Sequence, residues 1–200
     1  ARILYNKGLY LQSLKLLEKL KETARSYQQL TFLQQALFFE KKIETLYITR
    51  SMQDRADKLS EESELVDAQL TMVNDLSNLA LQLYSWYIKH GHARNEKDIK
   101  SVESFFDKHL PVGAGSANGF YEQLYLYQAY VWYAFIRQDF EQYYHYSQRW
   151  VNLFAEIGQD IIDLLDNRAI NFCQGLAGII VDGQQGTFGN MGQTDDLQGP

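Results

Sequence analysis

The side chains here best suited to chemistry are four histidines, one cysteine and a glycine-rich turn. His90 and His92 flank Gly91, and His109 follows, so three imidazoles could in principle hold a metal ion. No Asp or Glu spacing around them completes a recognisable site, and the pair falls at a turn, which predicts structural or surface histidines. His145 sits among Tyr143, Tyr144 and Tyr146 and reads as a half-exposed helix residue. Gly113, Gly115 and Gly119 spell G-x-G-x-x-x-G. A dinucleotide turn needs G-x-G-x-x-G after a strand and an acidic residue ending the next strand, whereas "VESFFDKHL" ahead of these glycines is helical and Asp139 falls at a helix turn. No G-x-S-x-G, H-E-x-x-H or G-x-x-x-x-G-K-[ST] occurs. Cys173 is the only cysteine, so neither an internal disulfide nor a cysteine zinc cluster can form within one chain. The residues therefore predict no catalytic group, no cofactor and no metal.

What remains must be done by the scaffold. The chain has 200 residues, 46% of them hydrophobic and 22% charged, the balance of a folded globular protein able to bury a core. No apolar run reaches the roughly 20 residues that cross a bilayer. The opening "ARILYN" has no Met and starts inside a helical pattern, which reads as a piece or a processed form of a longer protein. A fold held by packing alone fits a cytoplasmic protein and many exported bacterial ones. The formal charge is −6. Residues 1–50 hold nine Lys/Arg against four Asp/Glu, and the remainder hold ten against twenty-one. The plain reading is solvated helix faces; the sharper one is a basic end that meets an acidic partner or the acidic end of a neighbouring copy. An acidic chain without a long basic stripe argues against nucleic acid.

Only Pro111 and Pro200 are prolines, which leaves room for long helices. Over 27–50, Leu30, Leu33, Leu37, Ile43 and Tyr47 share one helical face. Over 65–90, Leu65, Ala68, Met72, Leu76, Leu79, Leu83 and Trp86 do the same. The charged stretch 52–64 predicts an exposed helix. "KHGHARNEKD" at 89–98 and "PVGAGSANG" at 111–119 are breaks, the second with Asn118 placed to cap the next helix. Residues 171–200 carry seven of the thirteen glycines, and "LAGIIVDG" within them is a short strand or a helix end. This end reads as a glycine-rich, flexible tail, native or appended. The division expected is a helical domain of about seven helices over 1–166 and a tail over 167–200.

One shape occurs twice. "NKGLYLQSLKLLEKL" aligns with "RQDFEQYYHYSQRW", Gly8 on Gln138 and Tyr10 on Phe140. The alignment then sets Ser13 on Tyr143, Leu14 on Tyr144, Leu17 on Ser147 and Leu20 on Trp150. A turn, an aromatic two positions on and then a helix describe the corner of a helical hairpin, with glycine at the first turn allowing backbone angles other residues resist and the aromatic plugging the space between the helices. "KGLYLQSLKLLEKL" resembles the turn and second helix of a tetratricopeptide repeat, through Gly8, Tyr10 and Leu14, with Ser13 for the usual alanine. "YQAYVWYAFIRQDFEQYYHYSQRW" resembles it through Tyr127, Tyr130, Ala134 and Phe140, with the larger Val131 and Tyr143 at positions that prefer small residues. Two further hairpins, about 28–65 and 66–109, fit by helix count. The resemblance implies an all-α fold of antiparallel hairpins stacked as an α-solenoid whose first helices line a concave groove. In the last repeat those helices would present Tyr125, Gln128 and Trp132.

Residues 120–154 hold fourteen of the twenty-eight aromatics. The helix expected over 120–137 is apolar on nearly all sides, so it must be covered on all sides. Most of its rings are therefore core, but eight tyrosine hydroxyls in this belt need partners, and Tyr and Trp are also favoured binding residues. Three functional classes follow: a protein- or peptide-binding scaffold, a structural subunit that stacks on its own copies, and, more remotely, an all-helical enzyme.

Overall fold

The computed structural model describes residues 1–47 and 53–155. These residues form seven packed α-helices, with no strand among them. They are α1 (Arg2–Asn6), α2 (Tyr10–Ser26), α3 (Leu30–Tyr47), α4 (Gln53–His90), α5 (Glu96–His109), α6 (Phe120–Arg137) and α7 (Phe140–Ala155), with a 3-10 turn at Ala114–Ser116. The principal contacts run α1 to α2, α2 to α3, α3 to α4, α4 to α5 and to α6, α5 to α6, and α6 to α7. Cys173, the glycine-rich tail and the helix-or-strand segment 176–183 lie outside the described residues.

The doubled corner occurs three times. Gly8, Gln28 and Gln138 all take left-handed backbone, at φ of 73°, 56° and 60°. At each, the next residue's N–H donates to the carbonyl five positions back: Leu9 to Leu4 at 2.9 Å, Gln29 to Ala24 at 2.7 Å and Asp139 to Ala134 at 3.0 Å. This is the Schellman closure, and it satisfies the carbonyls that a helix end leaves free. A Cβ added at Gly8 would meet nothing within 4 Å, so glycine serves the backbone angle there, not a tight fit. The Gln28 corner is followed two positions on by Leu30, where the other two have Tyr10 and Phe140, which is why only two of the three show in the residue pattern. A left-handed residue with a side chain is strained by roughly 1–2 kcal/mol. We therefore expect Gln28→Gly, at an exposed site, to stabilise the fold by about 0.5–1 kcal/mol in urea unfolding. Gln138→Gly should gain less, because the Gln138 amide donates to the Ala93 carbonyl at 3.3 Å.

The helices that follow these corners do not bury matching faces. Ser13 and Leu14 of α2 are buried, while Tyr144 of α7 is exposed; Leu20 is exposed, while Trp150 is buried. Tyr10 packs edge-on against Tyr5 at 5.4 Å, as a plug should, but Phe140 is 73% exposed and plugs nothing. The corner is repeated and the packing register is not.

Between the corners the architecture departs from regular hairpins. The boundary expected at 65/66 does not exist, because α4 runs unbroken from Gln53 to His90. At 1.5 Å per residue it is a rod of about 57 Å. Its buried stripe enters on Leu59, Ser63 and Val66 and continues through Leu76, Leu79, Ala80 and Leu83. Leu65 and Ala68, expected to face inward, point to solvent because the stripe runs one position off them through Val66. The chain is helical from Gln53, and residues 55–64 are mostly exposed, as their charge predicts, with Leu59 and Ser63 turned inward.

This rod serves two cores. Its first half joins Ala24 of α2 and Leu33 and Leu37 of α3 through Leu59 and Val66. Beside them Leu14 and Leu17 pack on Ala36 and Ile43. Its second half joins Val102 and Phe106 of α5 and Ala129, Tyr133 and Ile136 of α6 through Leu79, Ala80 and Leu83. On the far side of α6, Phe120, Leu124 and Val131 meet Trp150 and Leu153 of α7. No residue of α6 is exposed, so the helix is covered all round by α4, α5 and α7, as its composition requires.

Local chemistry sets the ends of α5 and α6. Asn95 Oδ1 accepts from the Asp98 N–H at 3.0 Å, and Asp98 Oδ2 accepts from the Arg94 N–H at 3.2 Å. At α6 the expected cap, Asn118, is not used. Gly119 occupies the cap position, and the buried Glu122 turns back so that its Oε2 accepts from the N–H groups of Gly119 at 2.9 Å and Asn118 at 3.3 Å. A carboxylate in the first turn meets both the free donors and the positive end of the helix dipole.

Candidate functional site

Tyr125, Gln128 and Trp132 lie at helical spacings of three and four on α6. Their side chains line one groove of about 390 Å³, whose opposite wall is Ser77, Ala80, Leu81 and Tyr84 of α4. Trp132 and Tyr84 set the rings of the groove 4.9 Å apart, tilted at 52°. Trp132 is fixed from behind by Phe135 at 5.9 Å and by Tyr87 at 5.8 Å. Leu81 and Tyr84 stand open at 66% and 43% exposure, while the three α6 residues are half-buried.

The polar groups of this groove are its informative part. The side chains of Tyr125, Gln128 and Trp132 form no hydrogen bond among the described residues. Burial, with Tyr121 beside it, holds the Tyr125 phenol above its usual pKa, so it remains a neutral O–H donor at ordinary pH. Other tyrosines of the belt are spoken for: Tyr130 stacks on Tyr146 at 4.2 Å, and Tyr133 accepts from Arg137 at 3.3 Å. Reasoning from sequence named one wall of the groove and missed the α4 wall, although Leu81, Tyr84 and Ile88 recur at helical spacing off the buried stripe.

The histidines have structural partners. His90 Nδ1 faces the Trp86 carbonyl at 3.0 Å, and His109 Nδ1 faces that of Phe105 at 2.7 Å. His92 lies between the rings of Tyr87 and Phe135 and meets the Phe135 carbonyl at 2.9 Å. A carbonyl accepts, so each of these Nδ1 atoms carries the proton. With Ala93 N–H on the Ile136 carbonyl at 2.9 Å, His92 pins the turn after α4 to the end of α6. His145 sits edge-on to Tyr146 at 5.1 Å. Among the described residues no cluster of three His, Cys, Asp or Glu side chains is placed to hold a metal ion, and no helix is long and apolar enough to cross a membrane.

A second concavity of about 600 Å³ lies between α2, α3 and α4 and is walled by ions. Lys21, 4% exposed, meets Glu40 at 2.7 Å, Glu18 at 3.1 Å and Glu62 at 3.6 Å. Arg55 binds Glu40 at 2.9 Å and Glu44 at 2.8 Å, and Arg25 binds Glu62. Glu40 and Glu44 are 3% and 6% exposed. Each carboxylate already faces a cation, so the cluster ties three helices together and offers no open coordination position. Of the nine Lys/Arg in the first fifty residues, Lys21 and Arg25 are paired within the chain here.

No family model, no curated protein and no solved structure matches this chain.

Proposed function

We propose that this chain is a non-catalytic interaction module, built of tetratricopeptide-like hairpins in a solenoid-type stack, that binds a protein or peptide in the groove between α4 and α6. The observation that carries this reading is the unspent hydrogen-bonding capacity of Tyr125, Gln128 and Trp132 in a groove walled by the exposed Leu81 and Tyr84. Their polar atoms are open to solvent, so a ligand that pairs them exchanges water hydrogen bonds for its own while covering the apolar wall beside them. The three left-handed corners support the hairpin reading, and the 38-residue α4 marks where the stack departs from regular repeats.

Panning a random displayed-peptide library on the whole chain, beside a Leu81→Asp/Tyr84→Lys variant, tests the proposal. Both substitutions are at exposed positions, so the fold is retained. Enrichment of related peptides on the parent chain, lost on the variant, is the expected result. Equal enrichment on both, or none above an unrelated helical protein, would refute it.

A second reading, assembly with copies of the same chain, has its own support. On α2 and α3, Leu11, Phe32, Phe38 and Leu46 are 73%, 54%, 72% and 60% exposed. Sedimentation across a wide concentration range decides it. A monomer throughout at low salt removes this reading, and a dimer abolished by Phe38→Glu establishes it.

A further inference from the structure

Resting on the groove reading above, we infer that the occupant is a short, uncharged, proline-rich segment in the extended polyproline II conformation. Four features of the groove select this chemistry.

The first is charge. The lining residues, Ser77, Ala80, Leu81, Tyr84, Tyr125, Gln128 and Trp132, include no Lys, Arg, Asp or Glu. A charged segment would be desolvated there with no counter-charge, at a cost of several kcal/mol. A phosphorylated or acidic peptide is therefore a poor occupant.

The second is size. The groove holds about 390 Å³, near the lower end of the roughly 300–1,000 Å³ typical of ligand pockets. A helix with its side chains is about 10–12 Å across and would ride on the rim. A few side chains of an extended segment fit inside.

The third is hydrogen-bond polarity. The phenol of Tyr125, the carboxamide of Gln128 and the indole of Trp132 can all donate, and the indole can only donate. Proline has no N–H, so a polyproline segment presents carbonyl acceptors alone, and its backbone makes no internal hydrogen bonds. Three side chains that can donate, one of them only a donor, complement a ligand whose backbone offers only acceptors. The rings of Trp132 and Tyr84, packed on each other at 4.9 Å, supply one continuous aromatic surface on which pyrrolidine rings can lie, and a segment already extended loses little entropy on binding.

The fourth is spacing. Tyr125 and Trp132 are seven residues apart, which on a helix is about 10.5 Å of rise. One turn of polyproline II, three residues, advances about 9.3 Å. The outer donors, Tyr125 and Trp132, thus stand close to one ligand repeat apart, with Gln128 between them.

The test is titration of the whole chain, by calorimetry and by tryptophan fluorescence, with three blocked, uncharged peptides of equal length. They are decaproline, a Gly/Ser/Gln peptide and an amphipathic helix-forming peptide. Decaproline should bind and the other two should not. Gln128→Leu removes the amide while keeping size, and Tyr84→Ser removes an exposed ring, so neither threatens the fold. Each should weaken decaproline at least about tenfold, the weight of one hot-spot side chain. Decaproline binding no tighter than the Gly/Ser/Gln peptide, or unchanged by both variants, overturns the inference. Binding of the helical peptide that both variants abolish also overturns it, while leaving the groove reading intact. If no peptide binds, the proline inference falls, and the displayed library decides the groove reading separately.

Discussion

Replacing Lys21 by methionine is expected to remove about 3 kcal/mol or more of folding stability, a large share of what a domain of this size possesses. Lys21 is 4% exposed and is, among the described residues, the one cation that contacts all three of Glu18, Glu40 and Glu62, on three helices. Without it, the 3%-exposed Glu40 keeps only Arg55 and is left partly uncompensated in a poorly solvated site. Removing both partners should hurt far less than removing one. In Lys21→Met/Glu40→Leu, Arg55 retains Glu44 and Glu62 retains Arg25. We expect the double variant within about 1–2 kcal/mol of the parent, since apolar replacements of buried ion pairs are often near neutral. Urea unfolding of the parent, the single and the double variant closes the comparison. A single variant costing under about 1 kcal/mol would show the cluster to be as weak as solvated surface pairs.

The same site fixes the sign of a pH effect. Burial pulls the Lys21 pKa down, but the hydrogen bonds and charges of Glu40, Glu18 and Glu62 outweigh it and hold it above its usual 10.5. A group raised on folding contributes stability that is complete below its unfolded pKa and is lost as pH rises through the folded one. Burial raises Tyr125, Tyr130, Tyr133 and Tyr143 above their usual 10.0, with the same sign. Stability should therefore fall steeply above about pH 10. The gap between parent and Lys21→Met should narrow there.

This cluster also shows what a sequence does and does not disclose. The all-helical class followed from period and composition, and the complete covering of α6 followed from its lack of a polar side. Both are properties of single segments. Lys21 and Glu40 are different in kind. Lys21 continues the buried row of Leu14, Leu17 and Ala24, and Glu40 continues that of Leu33, Leu37 and Ile43. A charge at an apolar register position was a legible anomaly, but its meaning required knowing that the two rows face each other. The groove divides the same way. Tyr125, Gln128 and Trp132 share a face by helical spacing alone, whereas Leu81 and Tyr84 become their opposite wall only through the packing of α4 on α6. The Gln28 corner was placed only by helix count, because neither a glycine nor an aromatic two positions on marks it; Leu30 stands where the other corners have Tyr10 and Phe140. The failed boundary at 65/66 came from extending a repeat length into a segment that has no break of its own.

A proline at that boundary separates the two architectures directly. Glu64 is exposed and forms no ion pair among the described residues. Were 64–66 a hairpin corner, proline would be tolerated there, since turns accept its fixed φ and need no N–H. In an unbroken α4 it deletes a hydrogen bond to residue 60 and drives its ring against that carbonyl, at about 3 kcal/mol or more. We expect Glu64→Pro to lose at least that amount in urea unfolding, with reduced helical circular dichroism. Glu64→Ala should stay within about 0.5 kcal/mol of the parent, as exposed substitutions do. A proline variant within about 1 kcal/mol of the parent would restore the corner. The loss should also be felt beyond the break. Leu59 and Val66 lock the rod to α2 and α3 on either side of residue 64, and Leu76, Leu79 and Leu83 lock it to α5 and α6 further on. A kink at 64 cannot keep Leu59 and Val66 seated in the first core while Leu79 and Leu83 stay seated in the second. One of the two must give way, which predicts that the variant unfolds in two steps where the parent unfolds in one.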